Sequence, residues 1–136
     1  MKGIMKKLLP VFLAGFLAAC SISPQQYEGE PLPLGEIAII KTDNMRIQYI
    51  NGESLGLGLP PKNYHLKPGY YELGVIFTDG SATSTNRLII GIDLHAGKVY
   101  KLVGEFNGVL RWSYTFTEKD TGQPVGKLLE TTHNWW

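Results

Sequence analysis

Cysteine is almost absent from this 136-residue chain, which contains Cys20 and no other. A single thiol excludes an internal disulfide framework, so core packing alone has to hold the fold. Lysine and arginine form no cluster after residue 7, which argues against nucleic acid as a partner. Long apolar runs are missing as well: the longest, residues 8–19, has 12 residues, well short of the roughly 20 that span a bilayer.

The first 20 residues have the order of a secretory signal peptide. Three lysines within residues 2–7 precede the apolar run, and small residues lead up to Cys20. The motif Leu17-Ala18-Ala19-Cys20 resembles the lipobox of bacterial lipoproteins. This resemblance implies cleavage before Cys20, a diacylglyceryl group on its thiol, and acylation, for example by palmitate, of the new amine. A transmembrane helix would need a longer run, and an ordinary signal peptide would leave the position of the cysteine unexplained.

An acylated Cys20 would attach the chain to a membrane. Two or more acyl chains hold a protein stably, at about 0.8 kcal/mol per buried methylene group. In Gram-negative lipoproteins an aspartate after the cysteine commonly causes retention in the inner membrane, so Ser21 predicts the outer membrane with a periplasm-facing domain. Cleavage before Cys20 would remove three of the 13 basic residues with residues 1–19. The mature chain would then have 10 basic and 12 acidic residues, so it would be mildly acidic.

Composition divides the chain into three units. They are a signal-peptide helix at residues 1–19, the lipidated cysteine with a tether rich in proline and glycine at residues 20–35, and one domain at residues 36–136. Proline and glycine in the second unit suit neither a helix nor a central strand. Fully extended, this unit would lift the domain about 45 Å from the membrane. The alternative is that Tyr27 or Leu32 packs along the domain.

From residue 36 onward, apolar and polar residues alternate. Residues 73–77 and 88–94 show this pattern most clearly, and a period of two places apolar side chains on one face of a strand. Glycine turns separate the runs at Asn51-Gly52, Pro68-Gly69, Asp79-Gly80, Ala96-Gly97, Asn107-Gly108 and Thr121-Gly122. The pattern predicts an all-β fold, an antiparallel β-sandwich of about seven short strands. Residues 127–130 fit either a helical turn or a last short strand.

Two segments carry a further resemblance. Leu66-Lys67-Pro68-Gly69-Tyr70-Tyr71-Glu72-Leu73-Gly74-Val75 is similar to the Leu-x-Pro-Gly-x-Tyr-x-Leu-x-Val segment of small envelope β-sandwich domains of the PEGA type. Leu94-His95-Ala96-Gly97-Lys98-Val99-Tyr100-Lys101-Leu102 is similar to the companion segment of many bacterial lipoproteins. The resemblance covers roughly residues 37–125 and implies an Ig-like or transthyretin-like sandwich. Its motifs are turns and strands, so it implies a fold and no activity.

Patterns of catalytic residues are not found in the sequence. There is no Gly-x-Ser-x-Gly elbow, and Ser81 lies in a run typical of a flexible hairpin loop. His65, His95 and His133 lack the close spacing of metal ligands, so neither a metal nor a cofactor is expected. Residues 56–61 contain Gly-x-Gly followed by prolines and not by a helix, which favours a loop over a phosphate cradle.

Aromatic residues supply the candidate binding surface. Tyr64, Tyr70 and Tyr71 gather near the Pro-Gly turn, where an aromatic platform would stack on sugars or anchor a protein. Alternatively, Tyr70 or Tyr71 fills the core, since neighbouring strand residues point to opposite faces. Trp135 and Trp136 end the chain, and they either fold back onto the sandwich or insert into a partner or a membrane interface.

These observations predict a lipid-anchored, non-enzymatic binding or assembly module of the cell envelope. Its expected partners are the membrane, through the lipid on Cys20, and an envelope protein complex. The alternative is a lipoprotein that binds peptidoglycan or another glycan. An envelope hydrolase is a third possibility, and it would require His65 and His95 to cluster beside a carboxylate.

Overall fold

A computed structural model describes residues 22–56, 58–79, 83–84, 86–106 and 112–133, with the backbone alone at residues 132 and 133. The predicted signal peptide, Cys20, Trp135 and Trp136 lie outside the described residues. Within the described part the chain is all-β, apart from a three-residue 3-10 turn at Leu34–Glu36. The same residues contain no helix with the length and apolar character needed to cross a membrane.

Nine strands are found in the described residues. They are β1 (Ala38–Asp43), β2 (Met45–Ile50), β3 (Glu53–Ser54), β4 (Asn63–Leu66), β5 (Gly69–Phe77), β6 (Asn86–Leu94), β7 (Val99–Phe106), β8 (Trp112–Glu118) and β9 (Lys127–His133). Seven of them have six to nine residues, the number that the turn spacing predicts, and β3 and β4 are shorter. Residues 127–130, whose pattern fits a helical turn or a strand, belong to β9.

The strands form two sheets. One has the order β4-β1-β7-β8, and the other has the order β3-β2-β5-β6-β9. Strand pairs are antiparallel except for β1 and β7, which run parallel with Ile39 opposite Val99. This parallel pair departs from the antiparallel arrangement that the sequence predicts. Between β1 and β7 the chain passes through β2, β3, β5 and β6 of the other sheet. After this long connection β7 lies beside β1 and runs in the same direction.

Four of the six predicted glycine turns are described by the structure, and each lies at a junction between consecutive strands: Asn51-Gly52, Pro68-Gly69, Ala96-Gly97 and Thr121-Gly122. Gly80 and Asn107-Gly108 lie outside the described residues. Backbone geometry explains the residue types at the first of them. Asn51 and Gly52 have φ angles of 51° and 80°, in the left-handed region that glycine adopts freely and asparagine tolerates. Local turn chemistry therefore sets the strand boundaries.

Buried side chains from both sheets form one hydrophobic core. The alternating residues of β5 and β6 point into it: Leu73, Val75, Phe77, Leu88, Ile90 and Ile92 are each at most 7% exposed. Burying an aliphatic or aromatic side chain of this size stabilises a fold by about 1.5–3 kcal/mol. No polar or charged residue of the described part is buried to this degree, so apolar packing dominates the stability of the domain.

A single residue, Asn44, carries the chain from one sheet to the other between β1 and β2. Its φ of 56° is left-handed, its carbonyl accepts a 2.9 Å hydrogen bond from the Thr78 N–H, and its side-chain amide donates to the Gly104 carbonyl at 3.3 Å. A Cβ on Gly104 would lie 2.8 Å from both the Asn44 carbonyl oxygen and Met45 Cγ. The corner therefore requires a glycine on the strand beside it.

The chain before β1 lies along β4, an edge strand of the four-stranded sheet. The Gln26 N–H donates to His65 at 2.9 Å, the His65 N–H donates to Pro24 at 2.8 Å, and the Ile22 N–H donates to Leu59 at 3.1 Å, each to a backbone carbonyl. These bonds cover part of an edge that would otherwise present unpaired backbone groups.

Two further side chains of this segment are packed as well. Tyr27 and Leu32 are half-buried, and the Leu32 N–H donates to the Tyr27 hydroxyl at 2.9 Å. The Lys67 ammonium lies 5.8 Å from the centre of the Tyr27 ring. From residue 22 onward, the segment therefore follows the domain instead of projecting from it as a free tether.

Replacing Gly104→Ala should lower the free energy of unfolding by about 1–3 kcal/mol, because the new methyl group overpacks the Asn44 corner. The matched control is Gly35→Ala, where an added Cβ meets nothing within 4 Å. Urea unfolding of both variants measures the difference. Equal stability of the two variants would contradict the role given to the corner.

Candidate binding face

The outward side of the five-stranded sheet carries two glycines, Gly74 on β5 and Gly91 on β6. Each leaves out a side chain in the middle of the sheet and opens a depression beside a tyrosine, Tyr49 at Gly74 and Tyr70 at Gly91. Sequence reasoning missed this face, although its signal was present. A glycine within a period-two apolar run marks a place where another group approaches the backbone closely.

The depression at Gly91, which we call the Tyr70 groove, has a volume of about 380 Å³. Tyr70 is 55% exposed, and a Cβ on Gly91 would collide with its hydroxyl and lie 3.1 Å from Leu129 Cδ1. Asp93 and Lys127 also line the groove. A flat aromatic ring beside one acid and one base suits a polar ligand that has an apolar face.

The depression at Gly74 is smaller, at about 280 Å³, and richer in charge. The Arg87 guanidinium lies over the Tyr49 ring, 4.2 Å from its centre, an arrangement worth about 0.5–1 kcal/mol at an exposed site. Glu72 and Glu130 line the same space. Because Arg87 covers the ring, this depression offers less aromatic surface to a ligand than the Tyr70 groove does.

Of the three tyrosines expected to form a platform, Tyr70 is the exposed one. Tyr64 is 0% exposed, and its hydroxyl accepts a 3.2 Å hydrogen bond from the Ile47 N–H of the opposite sheet. Tyr71 packs against the core, and its hydroxyl donates to the Lys67 carbonyl at 2.7 Å. The three rings do not share a surface, because Tyr64 faces the core and consecutive strand residues point to opposite sides.

Burial changes the acidity of two of these phenols. It raises the pKa of Tyr64 above its ordinary value of 10.0, against the opposing effects of the Ile47 N–H and the positive charge of Arg46. It also raises the pKa of Tyr71. Both hydroxyl groups therefore stay protonated at neutral pH, as their structural hydrogen bonds require.

The loop at residues 56–61 is held against β2 by an arginine. The Arg46 guanidinium donates to the carbonyls of Gly58 at 3.1 Å and Gly56 at 3.5 Å. Leu59 is 72% exposed, whereas Leu57 lies outside the described residues. The carbonyls of this loop point to a cation, which is the opposite of the arrangement that binds phosphate.

The histidines occupy separate elements. His65 pairs with Ile39 within the four-stranded sheet, His95 lies in the turn after β6, where its backbone N–H donates to the Tyr100 hydroxyl at 3.0 Å, and His133 ends β9. In the part of the chain that the structure covers, no three residues among His, Cys, Asp and Glu could jointly hold a metal ion. Ser81 lies outside the described residues, and the absence of catalysis stays a prediction.

A cavity of about 470 Å³ opens where the edge strands β8 and β9 leave a seam between the sheets. Phe77, Leu88 and Leu128 contribute apolar surface to it. The Trp112 ring stacks on Phe77 with 5.2 Å between the ring centres. This seam therefore joins apolar and aromatic side chains of both sheets at one edge of the fold.

Comparison with known proteins adds no relative: no family model, curated protein or solved structure matches this chain. The fold and its surface therefore define the class of protein by themselves. It is a two-sheet all-β domain with a shallow, amphipathic outer face and an apolar seam.

Replacing Tyr64→Phe should lower the free energy of unfolding by about 1–3 kcal/mol, because it leaves the buried Ile47 N–H without an acceptor. Tyr70→Phe is the matched control, since it removes a hydroxyl from an exposed ring. Denaturant unfolding at neutral pH checks both variants. If Tyr64→Phe were as stable as the control, the hydroxyl would not join the sheets.

The raised pKa of Tyr64 also predicts a loss of stability in alkali. The unfolded chain ionises this phenol near pH 10.0 while the folded chain still holds the proton, so stability is full below that pH and falls as pH rises through the folded-state pKa. Tyr64→Phe should unfold with a shallower pH dependence above pH 10. Unfolding curves measured from neutral to alkaline pH test this, and parallel profiles would contradict it.

Proposed function

We propose that the chain is a lipid-anchored protein of the bacterial cell envelope whose domain binds or assembles with other envelope components without catalysing a reaction. The anchor is Cys20, and the supporting observation is the motif Leu17-Ala18-Ala19-Cys20 after a basic and then apolar leader. The proposed location is the outer membrane, with the domain in the periplasm. Ser21 after the cysteine supports that location.

The fold is proposed more finely as an Ig-like or transthyretin-like β-sandwich. Seven strands of six to nine residues in two sheets support this assignment, as does the single core shared by both sheets. Such domains present sheet faces and loops to partners while their cores serve only stability.

The Tyr70 groove is the observation that supports binding most directly. It combines an exposed ring with a glycine whose missing side chain leaves room for the Tyr70 hydroxyl, and it lies on a sheet of five strands. Exposed aromatic side chains next to charged groups are typical anchors of protein interfaces. The groove is shallow and open to one side, which suits a protein surface or a polymer chain better than an enclosed small molecule.

Glycan binding is the second candidate. A sugar ring could stack on Tyr70 while Asp93 and Lys127 hydrogen-bond its hydroxyl groups. Peptidoglycan is the envelope polymer that offers such rings in a repeating chain. The two candidates share one face and differ in the class of ligand captured there.

Replacing Cys20→Ser should release the chain from the membrane fraction, because the serine hydroxyl cannot accept the diacylglyceryl group through a thioether bond. Fractionation and intact mass of the purified chain measure this, with Ser21→Ala as the control that leaves the thiol in place. A membrane-bound Cys20→Ser chain, or a wild-type mass without lipid, would refute the proposed anchor.

Photo-crosslinking from position 70 in living cells identifies what binds the groove. One dominant protein adduct supports the assembly role, and adducts to wall glycan support the second candidate. Gly91→Ala should reduce either adduct several-fold, because its Cβ would occupy the place of the hydroxyl at position 70 and push that ring and Leu129 out of their positions in the groove. Gly74→Ala is the matched control on the neighbouring depression. No adduct at position 70, or equal loss in both variants, would overturn the proposal.

A further inference from the structure

The seam between β8 and β9 contains a polar atom without a partner. Asn86 begins β6 and lies on the same side of that strand as Leu88, which faces the core. Asn86 is half-buried, but its side-chain oxygen Oδ1 is fully buried and receives no hydrogen bond from the described residues. The same residue lines the cavity of about 470 Å³ in the seam. A buried acceptor without a donor costs stability, so its position beside a cavity calls for an explanation.

The nearest hydroxyl group in the chain is already committed to the backbone. Ser84 also lines the cavity, and its hydroxyl accepts a 3.1 Å hydrogen bond from the Phe77 N–H and donates one of 2.9 Å to the Asn86 backbone carbonyl. These two bonds join the end of β5 to the start of β6. They fix the backbone that carries Asn86 and leave the proton of Ser84 unavailable to its Oδ1 atom.

Aromatic rings from both sheets form one wall of the cavity. Phe77 of β5 and Trp112 of β8 are stacked, with 5.2 Å between the ring centres and 20° between the planes. On the four-stranded sheet, the Phe106 ring packs against Trp112 at 4.9 Å. Leu88 and Leu128 add aliphatic surface. Flat apolar molecules pack well on such a wall, because aromatic rings prefer offset-stacked and edge-to-face contacts.

The cavity also differs from the outer face of the sheet in charge. In the described part of the chain, every residue that lines the cavity is apolar, aromatic or polar without charge. By contrast, Asp93 and Lys127 line the Tyr70 groove, and Arg87 lines the depression beside it. A charged ligand would lose its hydration in the seam without meeting an opposite charge, so the lining favours a neutral one.

We propose that the seam binds a neutral, flat molecule of two or three fused rings whose single N–H or O–H group donates to Asn86 Oδ1. The volume lies within the range of about 300–1,000 Å³ that is typical of ligand pockets. A saturated acyl chain would fill the apolar part but leave the acceptor without a partner. The seam lies on the core side of the five-stranded sheet, so this inference is independent of the Tyr70 groove and of the proposed anchor.

Indole and benzofuran are the probes that test the site. Both are neutral and have the same two-ring shape, but indole alone carries an N–H donor. The full chain, labelled with nitrogen-15, is purified in detergent micelles and titrated with each probe, and equilibrium dialysis against empty micelles gives the free probe concentration. Backbone amide signals of Leu88, Trp112 and Leu128 should shift together, while those of Tyr70 and Gly91 on the outer face should not. Indole should bind about 2- to 10-fold more tightly than benzofuran, the gain expected from one hydrogen bond.

Three variants locate the binding energy. Asn86→Leu removes the acceptor and keeps a side chain of similar size, so the affinity for indole should fall to that for benzofuran, which should not change. Thr131 lies opposite Leu88 and lines the cavity, so Thr131→Phe should narrow the opening and weaken both probes several-fold. Glu130→Phe is the matched control, because Glu130 lines the depression on the outer face of the sheet. It should leave both affinities unchanged.

Four outcomes would overturn the inference. The absence of shifts with either probe would show that the seam is closed or already filled. Equal affinities for indole and benzofuran in the unmodified chain would reject the donor to Asn86. Shifts confined to the outer face would place binding elsewhere, and equal weakening by Thr131→Phe and Glu130→Phe would show that the cavity is not the site. None of these results depends on the crosslinks from position 70, so the seam and the Tyr70 groove are tested separately.

Discussion

The whole fold depends on the one-residue corner at Asn44. Strands β1 and β2 are separated by this residue alone, yet they belong to different sheets. The corner therefore sets how the two sheets face each other, and two other parts of the fold contact it: Thr78 after β5 donates to its carbonyl, and Gly104 in β7 leaves room for it. Tyr64 of β4 adds a second tie between the sheets through the Ile47 N–H. Closing the core in this way frees the outer faces for other uses.

The shape of the outer face of the five-stranded sheet depends on two glycines, which have no side chains. Gly74 and Gly91 lie in the middle of β5 and β6, and Tyr49 and Tyr70 lie directly against them. Glycine within a strand costs stability, and here the neighbouring side chains use the room: the Tyr70 hydroxyl at Gly91, and Tyr49 with Arg87 at Gly74. The buried interior, in contrast, holds no polar or charged residue among those described. Polar chemistry in this domain is therefore a property of its surface.

Local patterns predicted the local structure. The alternation in residues 73–77 and 88–94 predicted β5 and β6. The turn at Asn51-Gly52 follows the end of β2, and the turn at Ala96-Gly97 follows the end of β6, as expected. The parallel pairing of Ile39 with Val99 could not be predicted from the sequence, because a local pattern does not show which distant strand pairs with β1. The docking of residues 22–26 on β4 depends on an edge that exists only in the folded sheet. The burial of Tyr64 had a signal: it lies two residues before Leu66, so both share the core face of β4.

The parallel pair also constrains the order in which the chain can fold. Ile39 and Val99 are 60 residues apart in sequence. Strand β1 therefore cannot pair with β7 until most of the chain has been synthesised. The hairpins of β2, β5 and β6 join strands closer in sequence and lose less loop entropy on pairing. A chain synthesised amino end first would thus carry β1 paired with β4 on one edge and open on its other edge until β7 follows. During that interval its exposed edge is a natural target for a holding chaperone or for pairing with a second nascent chain.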